Sequence, residues 1–180
     1  AILSCAPGWA WAPVDQRDQE GKPWPGCQRW FLQRMTARAA EAGLRLLAGY
    51  ELEWTIGRDE GERFLPIHNG PGYGAATFGV LGAYLLALVD TLASARVGVE
   101  QMHPEYSPGQ VEVSLSPRDP LRAADESVLT RHIARTLAEQ AGWRASFAPI
   151  VSRELLGNGG HIHVSVWRDG ENQFAGGQGP

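Results

Sequence analysis

Very little in this sequence builds a covalent framework, enters a membrane or attracts a polyanion. Cysteine occurs only at Cys5 and Cys27. Their number and spacing make neither a disulfide scaffold nor a thiolate metal site, so both are expected to be reduced thiols of a cytoplasmic protein. Basic residues are outnumbered, 16 Lys and Arg against 20 Asp and Glu, for a net charge of −4. That balance argues against nucleic acid or an anionic membrane as partner. The most apolar stretch, Ala75 to Val89, is closed by Asp90; it is too short for a membrane span and is expected to be a buried helix. No basic region precedes the first apolar residues, so no signal peptide is expected. There is no internal repeat, low-complexity tract or linker. At 180 residues, with 43% hydrophobic and 20% charged residues, the chain is about one domain long and can bury a sizeable core. Both ends read as interrupted patterns, from Ala1-Ile2-Leu3 to the glycine-rich stop at Gly176-Gly177-Gln178-Gly179-Pro180.

What is present is a series of alternating segments separated by helical ones. Residues 1–24, rich in Trp, Pro and Gly, read as irregular chain or strand remnants. A helix is expected from Gly26 to Ala42, with Trp30, Phe31, Met35 and Ala39 on an apolar stripe and Gly43 at its end. A strand from Leu44 to Ile56, a turn at 57–61 and a loop from Pro66 to Gly74 follow. Further helices are expected over Ala76–Ala95 and from Asp119-Pro120 to Gly142, and further strands over Val97–Met102, Gln110–Leu115, Ala145–Pro149 and His161–Trp167. Arg168-Asp169-Gly170-Glu171 reads as a hairpin turn. The strands around Met102 and Gln110 are joined by so few residues that they must pair antiparallel. The fold class is therefore α+β: a curved, mostly antiparallel sheet with helices on its outer face and a polar inner face.

Three of these segments carry side chains that could bind metal. Gly49-Tyr50-Glu51-Leu52-Glu53-Trp54 puts two carboxylates on one face of a strand and Tyr50, Leu52 and Trp54 on the other. The second segment places Glu105 and Glu112 on either side of a Ser-Pro-Gly turn, and the third runs a glycine-rich loop, Gly157-Asn158-Gly159-Gly160, into His161 and His163. Oxygen donors in excess of imidazole suit Mg²⁺ or Mn²⁺ better than zinc. His103 receives no role, because Pro104 interrupts the alternation that would set its face. His68 and His132 are expected at the surface, and the tryptophans in the core or at subunit contacts.

Together these motifs resemble the glutamine synthetases and their relatives that ligate glutamate to other amines. The matching elements are Gly-x-Glu-x-Glu-aromatic at 49–54, His-x-Glu-x₃-Gly-Gln-x-Glu at 103–112 and Gly-x-Gly-x-His-x-His-x-Ser at 157–165, in the family's order and spacing. The resemblance implies that residues 1–24 end a small N-terminal domain of β-grasp type and that 25–180 form the first half of the catalytic domain. It implies two divalent ions, one held by Glu53, Glu105 and Glu112, the other by Glu51 and His161 with a glutamate from outside this chain. It places Glu100, His163, Val164 and Ser165 against ATP, Gly157 against the amino-acid substrate and Tyr73 near the ammonium. Glu105 or Glu112 would orient the amine or take its proton. The partners implied are glutamate, ammonia or an organic amine, and further copies of the subunit in a ring. Because further substrate- and phosphate-binding residues of the family lie outside this chain, the 180 residues alone are expected to be inactive.

The chain departs from the family where Ile150-Val151 stands for the usual Lys-Pro and where Leu156 stands for an Asn. Apolar residues beside the substrate loop favour a nucleophile with a carbon framework over ammonia. Two other classes stay open on the residues alone. One is a non-catalytic relative that keeps the metal or nucleotide face. The other is a metal oxygenase, disfavoured because it would want two histidines and one carboxylate around iron.

Overall fold

In a computed structural model, described for residues 1–61 and 63–176, the organising element is a 16-residue strand, β1 (Arg45–Glu60). Its alternation sorts the chain into two faces. Leu52, Trp54 and Ile56 point one way, each no more than 1% exposed, and Glu51, Glu53 and Thr55 point the other. One edge of β1 takes β4 (Gln110–Leu115) and then β2 (Arg63–Pro66); the opposite edge takes β6 (Gly160–Arg168) and then β5 (Arg144–Ser146). Beyond them, β3 (Val99–Pro104) pairs with β4, and β7 (Glu171–Asn172) pairs with β6. Every pairing is antiparallel, as the short connection between β3 and β4 requires.

The apolar face is covered by α2 (Ala76–Ser94) and α3 (Pro120–Gln140). Leu81, Leu85, Leu88 and Leu92 of α2 and Ile133 of α3 pack with Leu52, Trp54, Ile56, Val111 and Val113 in one core. Trp54 Nε1–H donates to the Tyr84 hydroxyl at 3.1 Å, and that hydroxyl donates to the Ala134 carbonyl at 3.0 Å, so these polar groups inside the core satisfy one another. α3 starts where Asp119 caps it, accepting from Leu121 N at 3.1 Å ahead of Pro120, and ends before Gly142 in left-handed backbone. α1 (Gln28–Glu41) buries no residue. Arg29 anchors it, donating two hydrogen bonds to Asp125 on α3 and pairing with Asp15.

Several sequence expectations shift. The turn expected at 57–61 comes later, because β1 runs on to Glu60. Gly57 lets β2 approach so closely that a Cβ there would lie 2.3 Å from the Leu65 carbonyl oxygen. The strand expected over 97–102 is displaced to 99–104, and that over 145–149 shrinks to three residues. Phe31 leaves the expected stripe of α1 and is exposed. α2 is buried on one side only, with Phe78, Val80 and Leu86 outward. By length and apolarity it could cross a membrane, but its inner residues belong to the core. Isolated bridges Ile2 to Ala10 and Arg17 to Pro23 are the only pairing within residues 1–24 among the described residues. The turn after β6 is the expected hairpin, with Asp169 and Gly170 both at positive φ.

Candidate functional site

The strand registers line up the polar side chains in rows along β1. Partners across an antiparallel pair project to the same face, and successive rows two residues apart are spaced by about 7 Å. Leu47 is opposite Ser165, and Gly49 opposite His163. Glu51 lies between His161 and Ser114. Glu53 is opposite Glu112, which is in turn opposite His103. Thr55 lies between Gln110 and Ser146. Opposite the core, then, the sheet offers a band of carboxylates and imidazoles. The band is an open face: the His161 and His163 side chains are 56% and 68% exposed.

Two groups form within it. In the first, Glu51 Oε2 lies 3.0 Å from His161 Nδ1 and 3.1 Å from His163 Nε2. Hydrogen bonds from His163 and then His161 hold the Glu51 carboxyl below its ordinary range, and the bond to Glu51 raises the His161 imidazole above its own. In the second, donor atoms of His103, Glu105 and Glu112 all lie within 4.8 Å of one another. Glu112 is 8% exposed. Burial first, then the Glu51 charge, pushes its carboxyl up.

Glu53 sits between the two groups but is held by the glycine loop. Its Oε2 accepts from Gly159 N at 2.7 Å and from Gln110 Nε2 at 2.9 Å. A Cβ on Gly159 would lie 2.4 Å from Glu53 Oε1, so the loop can approach this carboxylate only as glycine. Gln110, 2% exposed, fixes the rest of the loop through contacts with the Gly157 carbonyl at 3.0 Å and Asn158 Oδ1 at 3.1 Å. Asn158 ties back to Thr55, Ser146 and Ala148.

The remaining candidates are placed as follows. Gly157 is in the loop, where a Cβ would meet the Pro149 carbonyl oxygen at 2.5 Å. Glu100 accepts from the Ser116 hydroxyl at a bulge in β3, and Ser165 accepts from Trp167 Nε1. Val164 alternates to the opposite face from its two neighbours. Tyr73, in left-handed backbone, reaches the second group; its N–H donates to the Glu105 carbonyl at 3.2 Å, and the Glu105 charge raises its phenol above the ordinary value. The Tyr106 ring stands edge-on to Tyr73 at 6.2 Å. Ile150 and Leu156 are exposed beside the loop.

Sequence reading missed three residues that shape this site. Gln110 shares the alternation of Glu112 and could have been found by it. Asn158 lies within the glycine loop. His103 escaped because Pro104 seemed to break the alternation, yet the strand runs through Pro104 and sets His103 opposite Glu112. His68 is not fully exposed. It is half-buried, with Gly70 N 3.0 Å from Nδ1 and Gly109 N 3.3 Å from Nε2; the neutral ring has one lone pair and accepts from only one of them, and burial lowers its pKa. It thus lies between the 66–74 loop and the turn beside Glu105. His132 is exposed as expected.

The profile of the glutamine synthetase catalytic domain matches residues 25–180. The chain is 49% identical over 179 residues to gamma-glutamylpolyamine synthetase GlnA3 of Streptomyces coelicolor, covering 98% of this chain and 38% of that protein. It is 32% identical over 160 residues to glutamine synthetase of Thermococcus kodakarensis, covering 86% of this chain and 35% of that one. Among solved structures, a novel glutamine synthase homolog superposes with a TM-score of 0.79 at 31% identity, over 88% of this chain and 36% of that one. An ADP complex of GmaS superposes with a TM-score of 0.81 at 28% identity, over 88% and 38%. The chain thus spans less than two-fifths of the length of these relatives.

Proposed function

The chain belongs to the glutamine synthetase catalytic-domain family, and we propose that it carries the metal- and nucleotide-binding face of an ATP-dependent ligase that joins the γ-carboxyl of glutamate to an amine. The observation that carries this reading is the order of rows along β1. Ser165 and His163, the nucleotide-side residues, come first; Glu51 with His161 and then Glu53 with Glu112 follow; the glycine loop comes last. That order would deliver the phosphates of ATP into the band of carboxylates and set the substrate beside the loop. The donor set fits divalent ions, since four carboxylates share one face and buried Glu112 accepts no hydrogen bond among the described residues.

Glu51 and His161, with a glutamate from outside this chain, would hold one Mg²⁺ or Mn²⁺, and Glu53, Glu105 and Glu112 the other. When bound, the ions would neutralise phosphate charge during phosphoryl transfer. A glutamate carboxylate oxygen attacks the γ-phosphorus and ADP leaves, giving an acyl phosphate. The amine nitrogen then attacks the acyl carbon, inorganic phosphate leaves, and Glu105 or Glu112 takes the proton released by the amine. Gly157 and the loop hold the glutamate, and Glu100 the nucleotide.

For the acceptor, we favour an organic amine. The Tyr73 and Tyr106 rings beside the Glu105 carboxylate offer aromatic faces and negative charge, a combination suited to an alkylammonium. Exposed Ile150 and Leu156 add apolar surface near the loop, and GlnA3 is named for polyamines. Residues 1–24 would end an N-terminal domain, and the subunits of the full-length enzyme would form a ring in the cytoplasm. The test is phosphate release from ATP by the full-length enzyme with glutamate, comparing kcat/KM for ammonia, monoamines, diamines and polyamines. A preference for ammonia over every amine would remove the acceptor reading, and release that needs no glutamate would remove the ligase reading.

A further inference from the structure

We propose that His103 is itself a ligand, through Nε2, of the ion held by Glu105 and Glu112. The proposal rests on the metal reading above but assigns a donor which that reading leaves out. Its ground is hydrogen bonding. His103 Nδ1 lies 3.1 Å from the Pro104 carbonyl oxygen, and a carbonyl can only accept, so Nδ1 carries the proton. Glu105 Oε1, 3.3 Å away, is a second acceptor on the same side of the ring. In the neutral imidazole Nε2 is then an exposed lone pair, and what it faces is Glu112 Oε1 at 3.8 Å.

That distance is too long for a hydrogen bond. Glu112 has no other hydrogen-bond partner among the described residues, although its side chain is only 11% exposed. A buried carboxylate facing an imidazole lone pair is a costly arrangement unless a cation lies between them. Divalent ions bind such donors at about 2.1 Å, so one ion can touch both across this gap. The Pro104 carbonyl then has the part that backbone carbonyls commonly play behind ligating histidines: it fixes the tautomer and the ring orientation. Proline at 104 contributes as well, since the strand needs no N–H from that position and the carbonyl is left to turn toward the ring. A nitrogen donor in a carboxylate site shifts preference from Mg²⁺ toward Mn²⁺.

The experiment is pulsed EPR of Mn²⁺ bound to the full-length enzyme, reading hyperfine coupling to ¹⁴N. In a His161→Gln/His163→Gln background, which removes the other imidazoles of the face, the ¹⁴N coupling should persist. Adding His103→Gln should abolish it while Mn²⁺ still binds, with affinity reduced about tenfold and a smaller loss for Mg²⁺. Melting temperatures control for folding. Mn²⁺ bound to the double variant without ¹⁴N coupling overturns the proposal and leaves the carboxylate site intact. Failure of the unsubstituted enzyme to bind Mn²⁺ at all overturns the metal reading, and this proposal with it.

Discussion

Replacing Gly159 by alanine would separate the scaffold from its chemistry. The Gly159 backbone is not left-handed, so alanine introduces no backbone strain. The new Cβ would instead sit 2.4 Å from Glu53 Oε1 and 3.0 Å from its Cδ. Non-bonded heavy atoms settle near 3.5 Å, so the carboxylate must retreat by about 1 Å. Doing so strains or breaks its bonds from Gly159 N and Gln110 Nε2. Bonds to a charged group are worth about 1.5–3 kcal/mol each, but on an open face water replaces most of that, leaving a net loss of roughly 1–2 kcal/mol. For a chain of this size the melting temperature should fall by about 2–8 °C. Metal affinity should suffer more. Displacing an oriented ligand costs on the order of 10–100-fold, so calorimetric titration of the variant with Mn²⁺ should show at least a tenfold weaker site. Gly79→Ala is the control. Nothing lies within 4 Å of a Cβ on that helical glycine, so alanine should add up to about 1 kcal/mol of stability and leave Mn²⁺ binding unchanged. If Gly159→Ala bound Mn²⁺ within twofold of the unsubstituted protein, Glu53 would not be a ligand positioned by the loop.

Tyr84→Phe leaves Trp54 Nε1–H and the Ala134 carbonyl without their partner in the core, so urea unfolding should show a loss of about 1–3 kcal/mol; an unchanged midpoint would mean that the core relaxes around the gap. The His161–Glu51 pair should give the metal-free protein a pH window. His161 is raised and Glu51 lowered relative to their unfolded values, so the contribution is full between the ordinary carboxylate and imidazole values of about 4.3 and 6.5. It is lost upward through the raised imidazole pKa and downward through the depressed carboxyl pKa. NMR titration of metal-free protein should place the His161 midpoint above 6.5 or so and bring it down in Glu51→Gln; an unmoved midpoint would show that the pair does not form in solution. Because metal needs the neutral imidazole, Mn²⁺ affinity should climb as pH rises through that midpoint, and a flat profile would remove His161 from the site. His68→Ala should free the 66–74 loop and slow turnover of the full-length enzyme without altering Mn²⁺ affinity, which hydrogen exchange and titration together can check.

By itself the sequence determined whatever depends on period and local chemistry. The alternation at Glu51, Leu52, Glu53 and Trp54 assigned one face to carboxylates and one to the core, because a strand turns each successive side chain over. The Asp119-Pro120 start and the Gly43 and Gly142 stops of α1 and α3 followed from backbone preferences of one or two residues. Three local motifs, in order and spacing, carried the resemblance to the family. Only the tertiary structure decided what depends on register and on close approach between segments far apart in sequence. Whether Glu53 meets Glu112 or slips past it is a matter of pairing across 59 positions, the difference of their numbers, and no local pattern sets it. Gly57 and Gly159 look like ordinary glycines until β2 and Glu53 come within contact of them. His68 reads as a surface histidine until the fold sets its ring between the backbone N–H groups of Gly70 and Gly109. His103 shows the boundary most clearly: the sequence has a histidine beside a proline, while the fold turns the carbonyl of that proline into the group that sets the imidazole's tautomer and aims its other nitrogen at a buried carboxylate.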